Sequence, residues 1–312
     1  MEDITVVVTV LNEEKSISAL LDGLDAQTCS SFQVVIVDGG STDNTVKILN
    51  AFYPRSFSLT VLQQKGNRSI GRNAGVKKAR TTWIAFTDAG CVPRKNWLEK
   101  LLGASHREKT RIVAGYYSAI HTKTWHPIAS RFMLVSPDNL SAFTRKHHPD
   151  RFLPATRSML IERSVFLQLG MFDESANTSE DYAFSRRIPL SMPIAFAPLA
   201  IVDWFPPSSL RRFFKQLFTF AYMDAQLGVV RTQTIVKSFG VLILMCLFFW
   251  KGVYVLPLLL MYFFYTYLRH KSIVHSLVDL MMLLCMQWVT DLGVLFATCL
   301  GSVRRIWDRR VI

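Results

Sequence analysis

The sequence predicts an α/β fold, a mostly parallel sheet with flanking helices, followed by a C-terminal α-helical membrane segment. Three observations carry this expectation. Short β-branched runs alternate with helical patterns through the N-terminal part, the rhythm of βαβ units. From about Phe239 to Leu268 the chain is almost wholly apolar. Only 19% of the residues are charged and 50% are hydrophobic, whereas soluble domains carry roughly 25% charge. This composition excludes disorder and a collagen-like repeat, and it argues against a purely soluble protein.

Ile4–Leu11 is a near-continuous β-branched run, as expected of a strand buried on both faces. Glu13–Gln27 sets Ile17, Leu20, Leu21 and Leu24 at helical spacing. Phe32–Val37 reads as the second strand, and Ser41-Thr42-Asp43 caps a helix reaching about Phe52. A third strand at Ser58–Gln63, a helix at Ile70–Ala79 and a fourth strand at Trp83–Thr87 follow. Pro93 opens a short helix ending near Leu102, and Ile112–Ile120 is another strand. His121–Phe152 is an irregular excursion. Beyond it the pattern gives a strand at Pro154–Ile161, a loop at Phe172–Ser179, a short helix at Glu180–Ile188 and a strand at Ile194–Trp204. Leu210–Leu227 is a helix with Arg211, Arg212 and Lys215 beside Phe213, Phe214, Leu217 and Phe218. That pattern suits a membrane interface or aromatics packed on a core.

The expected organisation is a first domain over 1–228, a linker over 229–237 and a membrane region over 238–312. Lys251-Gly252 splits the first apolar stretch, so about 239–268 is either a hairpin or part of a span. A further apolar helix covers about 277–303. Basic clusters at Arg269-His270-Lys271 and at Arg304, Arg305, Arg309 and Arg310 mark cytoplasmic ends. If both are cytoplasmic, the first stretch is a hairpin and Leu277–Leu300 lies in the interface; otherwise both stretches span. His275, Asp279, Gln287 and Asp291 share one side of the last helix, which favours an interfacial or packed position.

The net charge of +13 can attract nucleic acid, anionic lipid or phosphorylated small molecules. No nucleic-acid motif is present, and a membrane segment makes anionic lipid the first candidate. None of the five cysteines forms a CxxC pair, so zinc and a disulfide framework are poorly supported. Ile4–Val10 already reads as a strand, with no charged region or signal peptide before it, so the globular part is expected to face the cytoplasm.

Four polar segments stand out: Val10-Leu11-Asn12-Glu13-Glu14, Val37-Asp38-Gly39-Gly40-Ser41-Thr42-Asp43, Thr87-Asp88-Ala89-Gly90-Cys91 and Ser179-Glu180-Asp181-Tyr182. Three follow predicted strands. In an open α/β sheet ligands bind at the carboxyl ends of strands, so these acids should converge on one crevice. Each segment alone has a plainer explanation as a cap or turn. Their joint occurrence in this order does not.

With Gly71-Arg72-Asn73-Ala74-Gly75, this ordered set resembles glycosyltransferase family 2, over about residues 4 to 225. The resemblance implies a GT-A fold, a Rossmann-like sheet, and transfer of a sugar from a nucleotide-diphosphate donor with inversion. It implies that Leu11, Asn12, Glu13, Asp38 and Arg72 bind the nucleotide, that Asp88 holds a divalent cation (Mg²⁺ or Mn²⁺), and that Asp181 is the catalytic base. Glu180 then lies on the acceptor side. The family often carries a second acid two residues after the first; here that position is Gly90. The Gln-x-x-Arg-Trp motif of processive members is absent; Lys215-Gln216-Leu217-Phe218 occupies that region, where Arg212 or Lys215 would neutralise the departing diphosphate. The expected partners are a nucleotide sugar and a membrane lipid or lipid-linked acceptor, with no nucleic acid. A nucleotidyltransferase would show a glycine-rich basic loop where Asn12-Glu13-Glu14 stands. A non-catalytic membrane scaffold would have no need of both Asp88 and Asp181.

Overall fold

A computed structural model of the chain describes residues 3–29, 32–133, 154–230 and 232–311. Its elements, in order, are β1 (Ile4–Val10), α1 (Ile17–Asp25), β2 (Phe32–Asp38), α2 (Thr45–Ala51), β3 (Phe57–Gln63), α3 (Arg68–Lys78), β4 (Trp83–Phe86) and β5 (Cys91–Pro93). Then come α4 (Trp97–Glu108), β6 (Ile112–Ala119), α5 (His126–Met133), β7 (Met159–Glu162), α6 (Arg163–Gln168), α7 (Glu180–Ser185) and β8 (Ala195–Trp204). The last four helices are α8 (Leu210–Leu227), α9 (Thr232–Lys251), α10 (Leu256–His270) and α11 (Leu277–Val311). The chain divides into two compact units, Met1–Ser118 with Pro137–Phe205 and Ala119–Ser136 with Pro206–Ile312.

The first unit is built on an eight-stranded sheet of order β3-β2-β1-β4-β7-β6-β8-β5. The predicted parallel arrangement holds for β1 to β4, where β1 pairs parallel with β2 and β4, and β2 with β3. The remainder is mixed, because β7 runs antiparallel between β4 and β6, and β5 antiparallel to β8. Pro93 ends that short β5 strand rather than opening a helix, and α4 starts only at Trp97. A proline is tolerated at such a place because β5 is an edge strand, where a missing N–H breaks no inner ladder. The sequence reading also missed α6. Most of the His121–Phe152 excursion, residues 134–152, lies outside the described residues.

Helix α3 comes close to the sheet because its inward positions are small. A Cβ at Gly75 would stand 2.5 Å from Val7 Cγ1, and one at Gly71 2.7 Å from Thr9 Cγ2. This approach buries the polar residues Arg72 and Asn73 of the same helix. Beside it, Phe86, Phe166, Phe172 and Phe184 form one aromatic cluster, with ring centroids 4.9 to 5.5 Å apart. The cluster ties α6, the loop at Phe172 and α7 to the end of β4, over a core that includes Val7, Val76 and Ile84.

In the second unit α8 belongs with the C-terminal helices, so the boundary falls at 205/206 and not at 228. Phe213 of α8 is fully buried among Ile128, Ala129, Leu283 and Met286, which explains why its aromatic face does not end the first domain. Gly301 lets α11 pass close to α8, since a Cβ there would meet the backbone oxygen of Tyr222. The expected linker 229–237 is partly helical, because α9 begins at Thr232. Thr234–Lys251 and Leu277–Asp308 are long and apolar enough to cross a membrane, each with a mean hydropathy of 1.7. Only 7% of the first and 28% of the second is buried, unlike the core helix of a soluble protein. Asp291 of α11 accepts hydrogen bonds from Tyr262 Oη of α10 at 2.6 Å and from Gln287 Nε2 at 2.7 Å. Asp291, on the polar side of α11, is therefore packed against α10.

Gly75→Ala tests the close approach of α3. Helix propensity alone would favour alanine by about 1 kcal/mol. Overpacking against the β-branched Val7 costs about 1–3 kcal/mol. The expected net result is a lower melting temperature with the far-ultraviolet spectrum unchanged.

Candidate active site

Two loops at the carboxyl ends of β1 and β2 are laced together. Asn12 takes a left-handed conformation, φ 56°, and its Oδ1 accepts from Thr42 N at 2.8 Å. Its own N–H donates to Ser41 Oγ at 2.9 Å, and Glu13 N donates to Thr45 Oγ1 at 2.7 Å. Asn12 thus joins two loops and does not cap α1, whose first residue is Ile17. Asp38, buried at the end of β2, accepts from Gly40 N at 3.2 Å and Ser41 N at 3.1 Å, an Asx-type turn. Leu11 remains exposed beside them. Leu11, Asn12, Glu13 and Asp38 therefore line one pair of strand ends, as predicted.

The second cluster is ionic. Arg72 of α3 is 1% exposed and lies between two carboxylates. Its Nη1 donates to Glu180 Oε1, and its Nη2 donates to Asp88 Oδ1 at 2.7 Å. Burial opposes the charge of Arg72, but Glu180, Asp88 and Asp181 outweigh it, and its pKa rises. Burial likewise works against ionised Asp88, yet Arg72, Arg157 and Arg68 hold its pKa below the usual carboxylate value. Arg72 is thus an internal counter-ion at this site. Glu180, expected on the acceptor side, is buried and bonded to Arg72.

Asp181 is differently placed. Ser179 precedes it in a left-handed conformation, φ 60°, which turns the chain into α7. Asp181 Oδ2 accepts from Thr156 N at 3.2 Å and Oδ1 from Tyr182 N at 2.8 Å. Burial first, and then the Glu180 charge, push its pKa up to about 6; Arg72 only partly opposes them. A carboxylate so tuned is suited to take a proton near neutral pH. The loop before it is held by α3: Asn73 Nδ2 donates to Phe172 O at 2.9 Å, Asn67 Nδ2 to Glu174 O at 2.7 Å, and Ser69 Oγ to Ala176 O at 3.1 Å.

Sequence reasoning missed Arg157. Its guanidinium stands 4.9 Å from the Tyr117 ring centroid and 4.6 Å from that of Trp204, and its Nε is 3.6 Å from Asp88 Oδ2. An arginine within the stretch read as a strand at Pro154–Ile161 was the available signal. Arg212 and Lys215 are exposed on α8, in the second unit.

A divalent cation does not fit these residues well. Both oxygens of Asp88 face guanidinium groups. Gly90 offers no ligand, and no group of three or more His, Cys, Asp or Glu able to hold a metal occurs among the described residues.

Residues 5–170 match the family described as Glycosyl transferase family 2. Among curated relatives, the Uncharacterized glycosyltransferase EpsJ of Bacillus subtilis is 26% identical over 188 residues, which are 58% of this chain and 54% of that protein. Glycosyltransferase GlyG of Streptococcus pneumoniae is 30% identical over 118 residues, 37% of this chain and 39% of its own. The chain thus spans about half or less of the curated relatives it matches. Among solved structures, mannosyltransferase PcManGT from Pyrobaculum calidifontis, in complex with GDP-Man and Mn²⁺, aligns with TM-score 0.62 at 16% identity, covering 98% of this chain and 87% of its own. S. aureus TarS 1-349 in complex with UDP-GlcNAc aligns with TM-score 0.55 at 17% identity, covering 98% and 92%. These likenesses show the shared GT-A fold.

The ionic cluster predicts a stability effect. Arg72→Met leaves the buried Glu180 without its cation, which is expected to cost about 3–5 kcal/mol. Urea denaturation at neutral pH reads this loss, and Arg72→Met combined with Glu180→Gln should recover a large part of it.

Proposed function

The chain belongs to glycosyltransferase family 2, and we propose that it moves a sugar from a nucleotide-diphosphate donor to a membrane-associated acceptor, with inversion at the anomeric carbon. The observation that carries this reading is the pairing of Asp181, its acidity moved towards neutrality, with a nucleotide-type crevice at the ends of β1, β2 and β4. The fold neighbours were solved with UDP-GlcNAc and with GDP-Man, which supports a nucleotide sugar as donor.

In this reading the β1 and β2 loops seat the nucleoside, with Leu11 offering an apolar surface and Asp38 a carboxylate edge. The Thr156 and Tyr182 amides fix the orientation of the Asp181 carboxylate. Asp181 takes the proton of the acceptor hydroxyl as the new C–O bond forms on the face opposite the leaving group. The bond from the sugar to the β-phosphate breaks, and its electron pair leaves with the nucleoside diphosphate. Glu180 acts through Asp181, since its charge raises the basicity of the neighbouring carboxylate.

The exposed apolar helices at Thr234–Lys251 and Leu277–Asp308 support a membrane anchor. Trp250 and Tyr254 are exposed at the end of α9 and just after it, where aromatic rings suit a bilayer interface. An anchored enzyme stays in the plane of a lipid-linked saccharide, polyprenyl phosphate or glycolipid acceptor, with its first unit at the cytoplasmic face.

Two results are expected. Asp181→Asn should lower kcat by about 10²- to 10⁴-fold, while nucleotide binding measured by calorimetry persists. The wild-type kcat/KM should rise with pH and level off above about pH 6, because the base works only when deprotonated. A flat profile from pH 5 to 8, or Asp181→Asn as active as wild type, would refute Asp181 as the base.

A further inference from the structure

The environment of Asp88 points away from a metal. Arg72 Nη2 lies 2.7 Å from its Oδ1 and Arg157 Nε 3.6 Å from its Oδ2. A divalent cation docking on this carboxylate would meet two fixed positive charges at once. The neighbouring position that would bring a second acid is Gly90, and a Cβ there meets nothing within 4 Å. The carboxylate is already neutralised, and the space beside it is open.

Arg157 is held in a way that suits an anion. Its side chain is 16% exposed and stands against the rings of Tyr117 and Trp204. Aromatic faces attract a guanidinium without using its N–H donors. Its buried Nε makes no hydrogen bond, and its contact with Asp88 is a looser ion pair than that of Arg72. Arg72 is bonded to two carboxylates, whereas no side-chain hydrogen bond of Arg157 occurs among the described residues, and its planar fork matches phosphate oxygens. Arg68 adds a third positive charge to the field at Asp88.

We propose that Arg157 stands in for the divalent cation, its guanidinium binding the donor's diphosphate beside Asp88 and Gly90 so that the nucleotide binds and leaves without a metal. The inference rests on the donor reading given above. When the bond between the anomeric carbon and the β-phosphate oxygen breaks, the electron pair stays on that oxygen. Arg157 then holds the added charge through its N–H groups. The acceptor proton goes to Asp181, as before, and no co-reactant is required.

The test is calorimetric titration of the full chain in detergent with UDP, GDP and the corresponding monophosphates, once in excess EDTA and once in Mn²⁺. The expected result is one nucleoside diphosphate that binds equally well, within about twofold, in both conditions. Its advantage over the monophosphate should fall by about tenfold or more in Arg157→Gln and be partly restored in Arg157→Lys. Binding that is lost in EDTA would overturn the inference and leave the donor reading intact. An unchanged diphosphate preference in a folded Arg157→Gln protein would do the same. No binding of either diphosphate under either condition would overturn a UDP- or GDP-linked donor and the inference with it. Should Arg157→Gln fail to fold, the EDTA and Mn²⁺ comparison on the wild type decides alone.

Discussion

The buried chain of charges Glu180–Arg72–Asp88 is the constraint on which the first unit depends. It joins three elements distant in sequence: α3, the end of β4 and the start of α7. Its assembly requires α3 to sit close to the sheet, hence Gly71 and Gly75, and requires the 172–180 segment to fold back onto α3, hence Asn67, Ser69 and Asn73. A charge as deeply buried as that of Arg72 is tolerable only when partnered. Asp181, among the described residues, has no guanidinium bond of its own and accepts from two backbone amides. Burial and the adjacent Glu180 raise its pKa. Stability and chemistry are thereby linked: one arginine stabilises two acids, and the third acid stays basic enough to move a proton.

Much of this was legible in the sequence. Strands β1, β2 and β4 are buried almost throughout, so each reads as a nearly continuous apolar or β-branched run whose end is marked by a polar motif. The positions of Asn12, Asp38 and Asp88 follow from those ends. Other features were hidden for definite reasons. Strand β5 has three residues and a proline at its end, so local pattern reads it as the start of a helix. Arg157 acquires its meaning from β7, whose Met159 pairs with Phe86 of β4 in an antiparallel register. That pairing brings Arg157 towards Asp88, and periodicity within either segment contains no trace of it. Glu180 reads from motif order as a neighbour of the base on the acceptor side, and motif order gives proximity without direction; its side chain turns inward to Arg72.

The C-terminal region was legible as apolar and illegible as architecture. Helix α9 begins in the expected linker, since Thr232 to Lys237 continue the helix without a breaking residue. Helix α11 continues unbroken from Leu277 to Val311, past the end read from apolar content, because the arginines of its last turns are good helix formers. Phe213 looked equally suited to a lipid interface or to a core, and the packing partner that decides between them, Leu283, lies far along the chain.

The anomeric outcome of donor turnover is the decisive test of a single displacement assisted by Asp181. The full chain in detergent would be incubated with a panel of UDP-, GDP- and CDP-linked sugars, and the first-formed sugar product followed by proton NMR. Release of nucleoside diphosphate from a donor in the panel is expected, with a product of the opposite anomeric configuration. Turnover with retained configuration would contradict a single displacement assisted by Asp181, and no turnover of any donor would contradict sugar transfer by this crevice.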